Sequence, residues 1–233
     1  MKDNLPEVLI NPYTAIRLFA RVFLSVGDSV LKDRRFKVTR EAWIASMFLL
    51  AIKKHTDLDW YLSQELFDGS PDFNCYTFKR NEVMGGNDKP LLKLEVFEWR
   101  KEDSETDFLK ALKKIKLDKI IDPEITLVCY IRRDASIPPV IKLNEEIIKM
   151  NPRVKDVWYL GSVSPDYKIW RVAQLFPNVL AIDIDYDEIL STREEHSFVY
   201  AYRGKSAGVE YEATGKSIIL TPEFEIKSGD EQS

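Results

Sequence analysis

The apolar positions of the chain change period several times, and each change predicts an element. From Pro12 to about Val26 the residues AIRLFARVFLSV recur at helical spacing, with Arg17 and Arg21 four apart on one face and Pro12 suited to a first turn. A second helix is predicted from Arg40 to about His55, behind Thr39 as cap, because Trp43, Met47, Leu50 and Lys54 fall at spacings of four and three. Asp72 to Arg80 and Leu91 to Arg100 read as strands joined through Gly85-Gly86 and Asn87-Asp88, which predicts an antiparallel hairpin. The next helix is expected to begin with Ser104 three residues before Asp107 and Glu105 in its first turn. Lys113, Lys114 and Lys116 stand near its end, in accord with capping and the helix dipole, and Phe108, Leu112 and Ile115 mark its inward face.

The run ITLVCYI from Ile125 is apolar throughout, as in a strand covered on both faces. Beyond it the pattern predicts a helix around Val140 to Met150, a strand from Val157, a helix around Tyr167 to Phe176 and a strand from Val179. The expected fold is therefore α/β, a mixed central sheet flanked by helices, over residues 1–190. SFVYAYRG, VEYEATG and SIILTPEFEI read as short strands, which predicts a β-rich extension over 191–227, and the polar tail at 228–233 is expected to be disordered.

A chain of 233 residues that is 45% hydrophobic can bury a sizeable core. Its net charge of −4 and pI near 5.4 speak against nucleic-acid binding through bulk charge and leave room for a local basic face. The first candidate for such a face is LKDRRFKVTR, where Arg34, Arg35 and Lys37, with Lys32 and Arg40, surround Phe36 and could grip the phosphates of DNA or RNA. The plainer reading, a solvated loop between helices, is favoured. Arg132-Arg133 and the Lys113-Lys114-Lys116 face come next. Cys75 and Cys129 lie in predicted strands and are expected to be reduced core residues, which points to a reducing, cytoplasmic compartment. The amino-terminal MKDNLPEVLINP has neither the basic start nor the apolar core of a signal peptide, and no membrane span is expected.

Glu95 stands inside the otherwise mostly apolar strand Leu91 to Trp99, where acids are rarely buried unpaired. It is either a solvated residue with Lys93 beside it or part of a site. Asp72 follows Ser70-Pro71, a place where Asp is favoured for ordinary backbone reasons. The order of helix, strand opened by Pro71-Asp72, strand holding Glu95, helix and apolar strand resembles the core of the PD-(D/E)XK nuclease-like superfamily over roughly 40–132. The resemblance implies a restriction-endonuclease-like core, a hydrolase cutting phosphodiester bonds, and Mg²⁺ held by Asp72 and Glu95. Such a cation polarises the attacking water.

In that family a lysine follows two residues after the second acid, which in a strand puts it on the same face about 6 to 7 Å along. Phe97 stands there instead. Alternation places Lys93, Glu95 and Phe97 on one face and Leu94, Val96 and Glu98 on the other, so Lys93 is the expected stand-in, with Lys101 further along. The catalytic set is thus Asp72, Glu95 and Lys93, and Glu41 or Glu65 is the candidate for an additional helix-borne acid. The alternative is an inactive scaffold that acts as a protein or nucleic-acid interaction module.

Other patterns are weaker. Asp183, Asp185, Asp187, Ser191 and Glu194 match the ligand spacing of a calcium loop, but Glu188 occupies the place of its glycine and VLAIDI reads as a strand. Neither His55 nor His196 has a partner at zinc-ligand spacing. No GxSxG is present, and the Gly-Lys-Ser at Gly215 lacks the earlier glycine of a phosphate-binding loop.

Overall fold

Residues 8–64, 71–79, 82–84, 92–133, 139–192, 200–205, 208–213, 217–218 and 226–227 are described by a computed structural model. In chain order the elements are β1 (Val8–Leu9), α1 (Pro12–Val26), α2 (Ser29–Lys32), α3 (Lys37–Thr56), β2 (Trp60–Gln64), β3 (Phe73–Lys79), β4 (Glu82–Met84), β5 (Leu92–Arg100), α4 (Phe108–Leu112), β6 (Ile125–Arg132), α5 (Val140–Lys149), β7 (Asp156–Ser162), β8 (Ile169–Phe176), β9 (Leu180–Asp185) and α6 (Tyr186–Ser191). After them come β10 (Tyr200–Lys205), β11 (Gly208–Ala213), β12 (Ser217–Ile218) and β13 (Ile226–Lys227).

The central sheet runs β2-β3-β5-β6-β7-β8-β9, with β4 paired to β3. β5, β6 and β7 are parallel to one another and the strands on either side join antiparallel. The α/β class and the mixed sheet expected from the sequence are both present. Parallel neighbours need crossovers. Here α4 and α5 supply them, and both pack on the same face of the sheet, with Phe108, Leu112, Leu143 and Ile147 buried against Phe97, Leu127 and Cys129. The opposite face is covered by α3, whose residues Thr39 to Ala51 are all buried. It carries Leu94, Val96, Val128 and Tyr130. Alternation thus divides β5 and β6 between two cores, and both cysteines are free and buried.

α1 lies over α3, with Phe19 stacked on Trp43 at 4.9 Å, while Trp43 meets Tyr130 and Trp170 edge-on at 5.3 Å and 5.2 Å. β10 pairs antiparallel with both β1 and β11. No helix among the described residues is long and apolar enough to cross a membrane.

Three predicted elements need correction. α3 begins at Lys37, not Arg40, and Thr39 is 2% exposed inside the helix. The start is set by Asp33, whose carboxylate accepts from Arg35 N and opens a single 3₁₀ turn, Arg34–Phe36, that runs straight into α3. α4 begins at Phe108, capped by Asp107, whose side chain accepts from Lys110 N; Ser104 lies ahead of it. The predicted helix at Tyr167 to Phe176 is strand β8. Its apolar residues fall three apart, as in a helix, because a bulge opposite Val157 and Trp158 turns both Leu175 and Phe176 to the α5 face while Trp170 and Val172 face α3. The turn at Gly85 to Asp88, His196, Gly215 and the tail 228–233 lie outside the described residues.

Candidate functional site

Asp72 precedes β3 by one residue. Phe73 pairs with Leu94, so Asp72 comes opposite Glu95, and its Oδ2 accepts from Val96 N at 2.7 Å. One strand-to-strand register therefore brings the two acids of the Pro-Asp and β5 patterns together. Burial raises the Asp72 carboxyl above its ordinary range and the charge of Glu95 adds to the rise, opposed by the Val96 N–H and by Lys116 and Lys37.

Glu95 is 8% exposed. Its Oε1 accepts from the Lys116 ammonium, while its Oε2 is buried without a hydrogen-bond partner among the described residues. Lys116 comes from Lys113–Leu117, where α4 widens into a π turn marked by the bond from Asp118 N to Lys113 O at 3.0 Å. Such turns recur at functional sites because they shift a side chain out of α-helical phase.

A third carboxylate arrives from the other layer. Glu41, in the first turns of α3, is 8% exposed and lies 3.4 Å from Lys37 Nζ. Burial first, and Asp72 second, push its carboxyl up to about 7 against the pull of Lys37. Glu41 raises the Lys37 ammonium in turn, and Asp72 and Glu95 add to the rise. Glu41, Asp72, Glu95, Lys37 and Lys116 therefore form one electrostatic unit drawn from α3, the start of β3, β5 and the π turn.

Lys93 is seated elsewhere: its ammonium binds Asp122 at 2.9 Å and Glu124 at 2.8 Å. Phe97 is 3% exposed in the α4/α5 core, so the place two residues after Glu95 is used for packing. Lys101 is exposed in the turn after β5, and Glu65 lies outside the described residues.

Beside the carboxylates opens a cleft of about 330 Å³, lined by Lys32, Arg34, Lys37, Arg100 and Lys116 as well as by Glu41. Arg34 and Lys37 thus reach the site. Arg35 turns away and pairs with Asp33 at 2.6 Å. Arg132 and Arg133 are spent on structure: Arg132 donates to Leu31 O and binds Glu102, and Arg133 donates to Glu105 O at 2.9 Å and lies over Trp99. The acids at 183–187 are likewise engaged. Asp183 binds Arg171 at 2.7 Å, Asp185 caps α6 and Asp187 pairs with Lys168.

Sequence reasoning placed Lys116 only in a candidate basic face and did not identify it as the partner of Glu95. Its only signal was membership of a lysine-rich helix end. It also missed the buried pair Arg40 to Glu98, 3.2 Å apart, which forms one wall of the cleft.

Among the described residues, no group of three or more His, Cys, Asp and Glu gathers tightly enough to hold a metal by protein ligands alone. Mg²⁺ does not require one, because it keeps several waters and takes one or two carboxylates plus substrate phosphate. The facing acids Asp72 and Glu95 and the unpartnered Oε2 fit that demand. No family model, curated protein or solved structure matches this chain.

Proposed function

We propose that the protein is a diverged nuclease of the PD-(D/E)XK type that hydrolyses phosphodiester bonds with Mg²⁺. The observation that carries the reading is the meeting of Asp72, Glu95 and Lys116 beside a basic cleft. The parallel strands β5 and β6, with α4 between them and α3 across the sheet, support this reading.

Asp72 and Glu95 would hold the cation, Glu95 through its buried Oε2, which has no hydrogen-bond partner among the described residues. Mg²⁺ held there would supply Lewis acidity at the phosphoryl group and lower the pKa of a water. Lys116 takes the role that the family gives to the strand lysine. It reaches Glu95 from the π turn and stabilises negative charge developing on the phosphoryl oxygens. Lys37 holds Glu41 and adds positive charge to the same wall. Glu41 exchanges a proton near neutral pH, as a group serving the attacking water or the leaving oxygen must.

Two observations favour the alternative, an inactive interaction scaffold: Phe97 is core, and Lys116 already neutralises Glu95. A cleavage assay with Mg²⁺ and Mn²⁺ on single- and double-stranded DNA and RNA decides between them. The wild type cuts, Asp72→Asn and Glu95→Gln do not, and Lys116→Met is slower by on the order of 10²-fold. A wild type that cuts none of these substrates leaves the scaffold reading.

A further inference from the structure

The segment between α1 and α3 is exposed and basic, yet it is anchored from below by two guanidinium groups. Arg40, 4% exposed on α3, donates through Nη1 to Val30 O at 2.8 Å and to Asp33 O at 2.9 Å while its Nε faces Glu98. Arg132 at the end of β6 donates to Leu31 O. The carbonyls on either side of Lys32 are therefore tied to the sheet and to α3. Asp33 binds Arg35 and draws it out of the cleft. Lys32 and Arg34 are exposed at the cleft rim with no ion pair among the described residues, and Glu41 and Glu98 line the same cleft.

A pair of unpartnered cations on a segment pre-set by buried hydrogen bonds is a recognition device, since the ordering cost is met on folding and not on binding. The wall between them and Glu95 offers no stacking surface, because its aromatic, Phe97, is 3% exposed. Such a site reads charge and spacing, not bases. A recess of about 330 Å³ is at the small end of ligand-sized pockets, a size that suits one backbone segment.

We infer that residues 29–36 form a phosphate clamp in which Lys32 and Arg34 hold the backbone of a single nucleic-acid strand, without regard to base sequence, and direct it towards Glu95. The clamp deepens the hydrolase reading and rests on it for the identity of the anion.

The test measures binding of two labelled 20-nucleotide DNA strands of unrelated sequence, and of the duplex of one of them, to the full chain in EDTA across a salt series. Lys32→Ala/Arg34→Ala should weaken both single strands on the order of tenfold. It should also make the slope of log K against log salt shallower by about 1.4, the value for two lost contacts on single strands. Lys113→Ala/Lys114→Ala removes the same charge from another face and should leave the slope unchanged.

The clamp is overturned if the wild type binds no strand at low salt, or if the first variant binds like the wild type. An equal loss in the second variant overturns it too, by making the effect one of bulk charge, and tighter binding of the duplex overturns the single-strand assignment. Clamp-dependent binding without cleavage in Mg²⁺ sustains the clamp and removes hydrolysis. Cleavage by a wild type whose binding ignores Lys32 and Arg34 does the reverse.

Discussion

The backbone N–H of Val96 donates to Asp72 Oδ2 at 2.7 Å, and this one bond joins the residue ahead of β3 to the strand that carries Glu95. Asn can keep that bond through its Oδ1 while removing the charge. Burial and Glu95 raise the Asp72 carboxyl in the fold, so the folded state holds that proton more tightly than the unfolded chain does. The penalty for ionising it appears as pH rises and is absent where both states are protonated. Urea unfolding should therefore find Asp72→Asn matched to the wild type near pH 3 and more stable at pH 8, with cleavage lost. A variant less stable at both values would show that the carboxylate is needed to hold β3 to β5.

Glu41 gives the pH dependence a definite window. Its folded value of about 7 lies above the ordinary 4.5, so its contribution to stability is full below 4.5 and is lost as pH rises to about 7. The whole change is on the order of 3 kcal/mol. Glu41→Gln should flatten the decline between these values and exceed the wild type above pH 7. Guanidinium unfolding at half-unit pH steps measures it, and an unchanged decline in the variant would assign the effect to other groups.

Lys116 and Glu95 are 19% and 11% exposed at their side chains, so removing one leaves the other largely buried and unpaired. Lys116→Met should cost about 3 kcal/mol, and adding Glu95→Gln should recover most of it. A double-mutant cycle by chemical denaturation gives the coupling, and strict additivity would mean that the pair contributes nothing as a pair.

Arg40 and Glu98 form the most buried ion pair described, 4% and 11% exposed at their side chains, and Arg40 also anchors residues 30 and 33. Arg40→Met should cost about 3 kcal/mol. Hydrogen exchange in 29–36 should speed up more than in α5, which packs on the opposite face of the sheet from α3. Arg40→Met/Glu98→Gln should restore stability without restoring protection of 29–36. Equal protection in wild type and double variant would show that the segment is held by other contacts.

Periodicity marked β5, β6, α1 and α5 because each lies against a core whose geometry repeats with the element itself. β6 is buried from Ile125 to Ile131 and apolar there except at Thr126, and α1 buries Ala15, Ile16 and Phe19 on one face. β8 escaped because its bulge breaks the alternation that identifies a strand, and the start of α3 escaped because the Asp33 turn, not a capping Thr39, begins it. Asp72 and Glu95 came forward as a pair only through the resemblance to the PD-(D/E)XK pattern, since each alone also has an ordinary structural explanation.

What brought the two acids face to face was the register of β3 on β5, and this depends on backbone hydrogen bonds between segments more than twenty residues apart. The cation at Glu95 was settled in the same way. Lys93 shares its strand face, but Asp122 and Glu124 at the approach to β6 draw that ammonium off, and the π turn carries Lys116 into its place. Local sequence determined which acids the strands would carry and which segments would form the sheet, since hydrophobic period acts over a few neighbours. Only the packed sheet and its crossover decided which charges meet, because ionic contacts depend on distance in space and not on spacing along the chain.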